Sequence, residues 1–326
     1  MRAHHVMSLL LGLTILPGLP LAGQDPVGFT RQAEVIYGRK HGLAMTMDVF
    51  TPSGDANGRG IIAVVSGGWV SSQSNLATKP GSLPAFFKKQ LGALLSRGYT
   101  VFAVVHGSQP KYTIVEILQD LHRSVRFIRQ HASDYHVDPA RIGIFGGSAG
   151  GHLSLMQGTA GTPGDPQATD PVDRQSSRVQ AVVAYFPPTD FLNYGSDGVH
   201  FDKVVRGLLG GRNPFLAALD FRDFDPQKQL FERISNPETL RQQIMTVSPI
   251  HHVSRDDPPT MIIHGDADRL VPIQQAERIL ARFQKVGVTS SLKVMPGKSH
   301  GWDPEAEEVA QFAAWFDTHL RKPAAE

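Results

Sequence analysis

The most reactive pattern in the sequence is a serine set among glycines between a strand and a helix. Residues 141–145 (RIGIF) indicate a short apolar strand, residues 146–151 (GGSAGG) follow, and residues 152–156 indicate the first turns of a helix. Small residues on both sides of Ser148 allow a sharp turn, which exposes its hydroxyl at a helix N-terminus. Free N–H groups and the helix dipole stabilise negative charge there. The pattern therefore predicts a nucleophilic serine, which needs a base and an acid to become reactive.

A candidate acid and a candidate base follow later in the chain, each behind a strand. The apolar run 261–263 leads into residues 264–272 (HGDADRLVP), and the predicted strand 291–295 leads into residues 296–302 (PGKSHGW). The order serine, aspartate, histidine predicts a catalytic triad with His300 as the base. Two carboxylates, Asp266 and Asp268, compete for the role of the acid. A loop-capping role is the alternative for Asp266.

These segments resemble the α/β-hydrolases, and in particular their esterase and lipase branch. The run 264–272 is similar to the family pattern H-G-x-x-D-x-x-V-P, in which the acid corresponds to Asp268. The segment around His300 is similar to the one that carries the family's catalytic histidine. The resemblance therefore implies a triad of Ser148, Asp268 and His300.

The resemblance covers residues 30–320 and also bears on the substrate. The segment GGSAGGHL and the Gly-Gly-Trp loop are similar to those of secreted acetylxylan and feruloyl esterase-like enzymes. This implies a carbohydrate-linked or small-alcohol ester as the substrate, although a fold does not by itself fix a function. Acyl chain length and the alcohol portion stay open.

The predicted oxyanion hole is where the sequence departs from this family. The buried-strand run 61–65 is followed by residues 66–69 (SGGW), where similar esterases often carry H-G-G-G and then an aromatic residue. Alignment on the tryptophan puts Val65 at the position of the histidine, which usually supports the loop. The resemblance implies that one backbone N–H from this loop and one from the residue after the serine bind the oxyanion. The candidate donors are Gly67, Gly68, Trp69 and Ala149, and a plain glycine turn is the alternative.

Strand and helix signals alternate along most of the chain. The candidate strands Ala33–Tyr37 and Leu43–Phe50 flank a predicted turn at 38–42. Apolar and polar residues alternate along both, as is typical of antiparallel edge strands. Further strands are predicted at 61–65, 100–105 and 179–186, and helices at 84–96, 113–132 and 305–320. Alternating strands and helices predict an α/β-hydrolase fold, with a mostly parallel central sheet and helices on both faces.

The alternation breaks between residues 189 and 252. We expect a small, largely helical cap at about 193–246, inserted into a single domain that spans 24–326; a long surface excursion is the alternative. The segment is rich in aromatic side chains, which indicate that it packs on something: Phe201, Phe215, Phe221, Phe224 and Phe231. We expect most of these rings to fill the core of the cap, and whether some line an acyl pocket stays open.

The N-terminal residues have the composition of a secretory signal. Arg2 precedes an apolar stretch at 6–16, and small residues at 22 and 23 provide a cleavage site. The apolar stretch is too short for a spanning helix of about 20 residues, so we expect no membrane anchor after cleavage. The sequence therefore predicts a signal peptide at 1–23 and a secreted or periplasmic protein, without deciding between the two.

Composition excludes several other classes of function. The chain has 326 residues, no cysteine and a formal net charge of +2, from 32 basic and 30 acidic residues. It can therefore form no disulfide, and its charge gives no basis for nucleic-acid binding. The pairs His4-His5 and His251-His252 and the single His131 and His136 lack carboxylate or thiolate partners at metal-ligand spacing, so we predict no metal site, and we predict no cofactor. The oligomeric state stays open.

These observations predict a secreted serine carboxylesterase that acts through an acyl-enzyme. A serine exopeptidase of the prolyl-oligopeptidase type shares the catalytic domain, but it normally carries a large N-terminal propeller, which we do not expect ahead of the first strands. The other alternative is a catalytically weak binding protein that retains the fold and uses the cleft to hold a ligand. Filled triad positions count against it, and the altered loop at Val65 and Ser66 counts mildly for it.

Overall fold

The parallel strands of one sheet set the positions of all the predicted site residues. The structure of the protein is a computed structural model that describes residues 28–76 and 85–321, so the predicted signal peptide at 1–23 lies outside the described residues. The strands are β1 (Phe29–Lys40), β2 (Leu43–Pro52), β3 (Gly60–Val65), β4 (Thr100–Val105), β5 (Ile142–Gly147), β6 (Ala181–Tyr185), β7 (Arg222–Asp225), β8 (Leu230–Arg233), β9 (Thr260–Gly265) and β10 (Ser290–Met295). The α-helices are α1 (Ala85–Leu95), α2 (Ile114–Gln130), α3 (Ala149–Thr159), α4 (Phe201–Leu208), α5 (Pro237–Thr246), α6 (Gln274–Val286) and α7 (Ala306–His319).

Eight of these strands form one sheet in the order β1-β2-β4-β3-β5-β6-β9-β10. The β1–β2 and β2–β4 pairs are antiparallel and every other pair is parallel. The central strands read as continuous apolar runs because helices cover both of their faces. The predicted mostly parallel sheet is confirmed. Since β5, β9 and β10 run in the same direction, the loops that follow them meet at one edge of the sheet.

A separate hydrophobic core lies on each face of the sheet. Helices α1 and α7 contribute to the first core, with Leu91, Leu94, Phe312 and Phe316 among its members. Helices α2, α3 and α6 contribute to the second. Helix α7 comes so close to β5 that a Cβ atom added to Gly143 would lie 2.7 Å from the ring of Phe316. The glycine therefore permits the docking of α7 directly behind the strand that carries the predicted nucleophile.

The first hairpin is longer than the sequence indicated. Residues 38–40, predicted to belong to a five-residue turn, pair with residues 43–45 and extend both strands. The turn itself is only His41 and Gly42, with φ of 48° and 78°. Two consecutive residues with positive φ make a tight turn whose twist matches that of the flanking strands. The predicted extent of the turn was wrong because basic residues occupy an exposed edge strand.

The inserted segment at 193–246 is less helical than expected. It contains α4, α5 and a 3₁₀ turn at Leu216–Leu219, and also an antiparallel hairpin of β7 and β8. Phe224 and Phe231 pair across this hairpin with 52% and 66% of their surface exposed. The expectation of a core position for most of the phenylalanines was wrong for these two, because four-residue strands are too short to show a clear period in sequence.

Among the helices of the described residues, none combines the length and apolar character that crossing a bilayer requires. The apolar stretch at 6–16 precedes the described residues, and its role stays a prediction.

We expect Phe316→Ala to lower the free energy of unfolding by about 3 to 5 kcal/mol, because the substitution leaves a cavity between α7 and β5. Phe316 is completely buried. Urea denaturation at neutral pH measures the effect. Thr318→Ala, on the exposed side of the same helix, is the matched control and should change stability by less than about 0.5 kcal/mol. Equal effects of the two variants would contradict the proposed docking.

Candidate active site

Ser148 occupies a strained turn between β5 and α3. Its φ of 55° and ψ of −121° are unusual for a residue with a side chain. The Ser148 N–H donates to the carbonyl of Tyr185 on the neighbouring strand at 2.9 Å, which holds the turn in place. A Cβ atom added to Gly146 would lie 2.5 Å from the backbone of Gly150. Strand and helix therefore cross at a distance that only glycine permits, as the flanking glycines predicted.

The three predicted triad residues form a continuous chain of hydrogen bonds. His300 Nε2 lies 2.8 Å from Ser148 Oγ, and His300 Nδ1 lies 2.7 Å from Asp268 Oδ2. The other oxygen of Asp268 accepts the N–H groups of Leu270 and Val271, both at 2.9 Å. Both carboxylate oxygens are thus satisfied, and the carboxylate fixes the orientation of the imidazole. This is the geometry in which a histidine can take a proton from a serine.

The environment of Asp268 keeps its carboxyl group ionised. Burial by itself would raise the pKa, but hydrogen bonds from His264 and His300, with the charge of His300, lower the pKa of Asp268 to about 2. His264 is fully buried, donates from Nε2 to the carbonyl of Val271 at 2.8 Å, and lies 3.5 Å from Asp268 Oδ2. A negative charge therefore faces His300 throughout the neutral range.

The competing carboxylate, Asp266, lies outside this chain of hydrogen bonds. It is exposed and accepts the N–H of Gly297 at 2.6 Å, which ties the loop after β9 to the loop after β10. Its position corresponds to the loop-capping role that was the alternative for it.

The loop after β3 contains three of the predicted oxyanion donors, and one of them, Gly67, uses its N–H group in a hydrogen bond within the loop. Gly67 N–H donates to the carbonyl of Val70, and Val70 N–H donates back, both at 3.0 Å. Gly67 is therefore a correction to the predicted donors, because its N–H is already bonded within the turn. Gly68 and Trp69 follow with φ of 56° and 60°. For their N–H groups, and for that of Ala149, we find no acceptor within residues 28–76 and 85–321.

A buried histidine supports this loop, although the family's usual histidine is absent. Trp69 Nε1 donates to His152 Nδ1 at 3.1 Å, and His152 Nε2 donates to the carbonyl of Val247 at 2.7 Å. Both ring nitrogens of His152 therefore have a hydrogen-bond partner, and the neutral ring links the loop to the end of α5. Gln109 adds two bonds, from its N–H to the Trp69 carbonyl at 3.1 Å and from Nε2 to the Gly68 carbonyl.

Sequence reasoning missed both supporting residues. His152 lies four residues after Ser148 on α3, so helical spacing puts both on the same side of the helix. That spacing was the one signal available for it. Gln109 gives no signal in the sequence, because its contacts depend on the path of the loop after β4.

A small apolar cavity lies beside Ser148. About 20 Å³ of it is accessible to the centre of a water molecule. Its walls come from the oxyanion loop, the start of α3, the inserted segment and the loop after β9: Gly68, Trp69, Ser148, Ala149, Pro188, Tyr194, Phe201, Phe215, Leu270 and Val271. His300 is not one of the lining residues. The imidazole ring of His300 packs on the ring of Phe186, with centroids 4.8 Å apart, and the ring of Phe186 packs on that of Trp302 at 5.1 Å.

Several known proteins are similar to this chain. The BD-FAE family model matches residues 47–283. Over 282 residues the chain is 27% identical to the probable carboxylic ester hydrolase LipM of Mycobacterium tuberculosis, a match that covers 84% of this chain and 57% of LipM. The chain thus spans little more than half of that relative's length.

Two solved structures are similar in fold. A truncated carbohydrate esterase from gut microbiota has a TM-score of 0.71 at 23% identity, over 91% of this chain and 99% of the other. An acetyl ester-xyloside bifunctional hydrolase from Caldicellulosiruptor lactoaceticus has a TM-score of 0.66 at 23% identity, over 88% and 96%. At this level of identity the likeness concerns the fold, which is that of the α/β-hydrolases.

The buried histidines predict a loss of stability in acid. Burial lowers the pKa of His152 and of His106 to about 4, from 6.5 for an exposed histidine. As the pH falls from 6.5 toward 4, the unfolded chain binds these protons and the folded chain does not. The free energy of unfolding should therefore fall by up to about 1.4 kcal/mol per pH unit for each histidine.

Urea denaturation between pH 7 and pH 4.5 measures this slope. His152→Gln retains a hydrogen-bond acceptor and a donor but cannot titrate. The slope of the unfolding free energy against pH should therefore become less steep by up to about 1.4 kcal/mol per pH unit, which corresponds to one proton. An unchanged slope in this variant, with the fold intact, would show that His152 does not contribute to the acid sensitivity.

Proposed function

The chain belongs to the BD-FAE family, and from this premise we propose that it is a serine carboxylesterase whose catalytic residues are Ser148, His300 and Asp268. The observation that carries the proposal is the chain of hydrogen bonds from Ser148 through His300 to the ionised Asp268. Gly68, Trp69 and Ala149 line the cavity beside Ser148, and the lack of an acceptor for their N–H groups among the described residues supports the proposal. The similarity to LipM, a probable carboxylic ester hydrolase, also supports the proposal.

Acylation is the first half of the proposed reaction. Ser148 Oγ attacks the ester carbonyl carbon while His300 Nε2 takes the hydroxyl proton, and the carbonyl oxygen becomes an oxyanion. N–H groups of Ala149 and of the Gly68–Trp69 turn bind that oxyanion, each contributing about 3 kcal/mol to the lowering of the barrier. The bond to the alcohol then breaks, and His300 gives its proton to the leaving alkoxide. The products are the free alcohol and an acyl ester of Ser148.

Hydrolysis of this acyl-enzyme repeats the sequence with water. His300 removes a proton from the water, whose oxygen attacks the acyl carbon, and the oxyanion forms again at the same N–H groups. Collapse of this intermediate returns the proton to Ser148 Oγ and releases the carboxylic acid. Asp268 holds the tautomer of His300 and stabilises its charged form in both halves, without itself accepting a proton.

For the substrate we propose an acyl ester of a carbohydrate. The support comes from two structures of the same fold, which are described as a carbohydrate esterase and as an acetyl ester-xyloside hydrolase. The apolar cavity beside Ser148 suits an acyl group, and the polar alcohol would face the open side of the site.

We further propose that the protein acts outside the cytoplasm, in the periplasm or after export. The support is the basic residue, apolar stretch and small-residue cleavage site at 1–23. Polymeric carbohydrate esters occur outside the cell, so secretion and the proposed substrate are mutually consistent.

We expect Ser148→Ala to lower kcat/KM for 4-nitrophenyl acetate by at least about 10⁴-fold, because no acyl-enzyme can form without the hydroxyl. Stopped-flow release of nitrophenol should show a burst in the wild type and none in the variant. A fluorophosphonate should label the wild type at Ser148, and acetylated xylan and methyl ferulate test the carbohydrate and feruloyl esters.

Ser154→Ala is the matched control, since Ser154 lies on the same helix and bonds only the Gly150 carbonyl. It should retain the burst. A full burst in Ser148→Ala would refute the assignment of the nucleophile. A wild type that neither turns over any ester nor reacts with the fluorophosphonate would instead indicate a binding protein.

Expression of the complete chain in a Gram-negative host tests the proposed location. The mature protein recovered outside the cytoplasm should begin at residue 23 or 24. Leu11→Arg interrupts the apolar stretch and should retain the uncleaved chain in the cytoplasm. Wild-type protein that stays in the cytoplasm with its N-terminal segment intact would contradict the proposal.

A further inference from the structure

Phe215, a residue of the inserted segment, lines the cavity beside Ser148 and lies against the oxyanion turn. We infer that this ring sets the maximum length of the acyl group and restricts the enzyme to acyl chains of about two or three carbons. The inference rests on the proposed esterase function and adds to it a residue that determines specificity.

The position of His300 decides which part of the ester enters the cavity. The leaving alkoxide must lie next to His300 Nε2, because that atom donates its proton. His300 does not line the cavity, whereas Gly68, Trp69 and Ala149 do. The cavity is therefore on the side of the oxyanion donors and away from the proton donor. The acyl chain occupies it, and the alcohol extends past His300.

The volume of the cavity limits the acyl chain. A space accessible to water centres must be about 10 to 15 Å³ to hold one water molecule. The 20 Å³ found here therefore accepts a group the size of one or two waters, such as the methyl of an acetyl group. An acyl chain that extends beyond this space toward the inserted segment meets the ring of Phe215. A wall that resists displacement discriminates between chain lengths by about 10-fold or more per methylene.

Three of the aromatic walls are fixed parts of the core. Trp69, Tyr194 and Phe201 are at most 3% exposed. The Tyr194 hydroxyl donates to the carbonyl of Leu270 at 3.0 Å, and the ring of Phe201 packs on Tyr194 at 5.1 Å and on Trp69 at 6.0 Å. Removing one of these rings would disturb the fold as well as the cavity.

Phe215 differs from these walls because it is only half-buried. Its ring lies 6.3 Å from that of Trp69, and a Cβ atom added to Gly68 would be 2.6 Å from it. The ring therefore lies directly against the oxyanion turn. Asn213 Oδ1 accepts the Phe215 N–H at 3.0 Å, and Asn213 Nδ2 donates to Asp202 on α4 at 3.0 Å. The inserted segment thus holds the ring in place.

The test is the chain-length profile of kcat/KM on 4-nitrophenyl acetate, butyrate and octanoate. The wild type should hydrolyse acetate at least 10-fold faster than octanoate. Phe215→Ala should raise the ratio of octanoate to acetate by 10-fold or more, and Phe215→Leu by a smaller factor. Phe231→Ala is the matched control, because it removes an exposed ring from the same inserted segment, and it should leave the ratio unchanged.

Labelling by a fluorophosphonate separates failure of this inference from failure of the proposed function. No labelling and no turnover in the wild type would refute the esterase itself. A labelled, active wild type that hydrolyses octanoate as fast as acetate would refute the inference alone. So would a folded Phe215→Ala with an unchanged ratio. If Phe215→Ala does not fold, Phe215→Trp decides: it should reduce kcat/KM for butyrate more than for acetate, and an equal effect on both would overturn the inference.

Discussion

The close crossing of β5 and α3 is the constraint on which the rest of the site depends. Ser148 projects from this crossing with a positive φ, and Gly146 lies so close to the backbone of Gly150 that its position tolerates no side chain. The strain is held by the hydrogen bond from Ser148 N–H to β6 and by the docking of α7 behind β5. As a result the hydroxyl is fixed in position before any ligand arrives. His300 and the oxyanion donors then need only small loops to reach it.

Different residues can support the conformation of the oxyanion loop. Similar esterases often place a histidine at the start of this loop, and here Val65 occupies that position. Support comes instead from the opposite side, where the indole of Trp69 bonds the buried His152. Since His152 also bonds Val247, the loop, the nucleophile helix and the end of the inserted segment are joined in one buried network. The network depends on a neutral imidazole, which ties the geometry of the loop to pH.

The inserted segment shapes a site whose reactive groups come from the sheet edge. Triad residues lie on loops after β5, β9 and β10, whereas Tyr194, Phe201 and Phe215 come from the stretch between β6 and β9. Catalytic geometry and the size of the acyl cavity are therefore set by different parts of the chain. The β7–β8 hairpin, with its two exposed rings, belongs to the second part.

The fold class, the elbow and the order of the proposed triad could be predicted from the sequence, because each depends on local patterns: apolar runs, flanking glycines and loops behind strands. It left Asp266 and Asp268 open except through the family resemblance. It proposed Gly67 as a donor that the turn withdraws, and it did not find His152 or Gln109 as supports of the loop. The supports of the loop and the choice of carboxylate depend on contacts between residues far apart in sequence, and the loss of Gly67 depends on the exact geometry of the turn from Gly67 to Val70, so the folded structure was needed for all of them. The path of a loop decides which carboxylate or N–H group faces the site, and no local sequence pattern specifies that path.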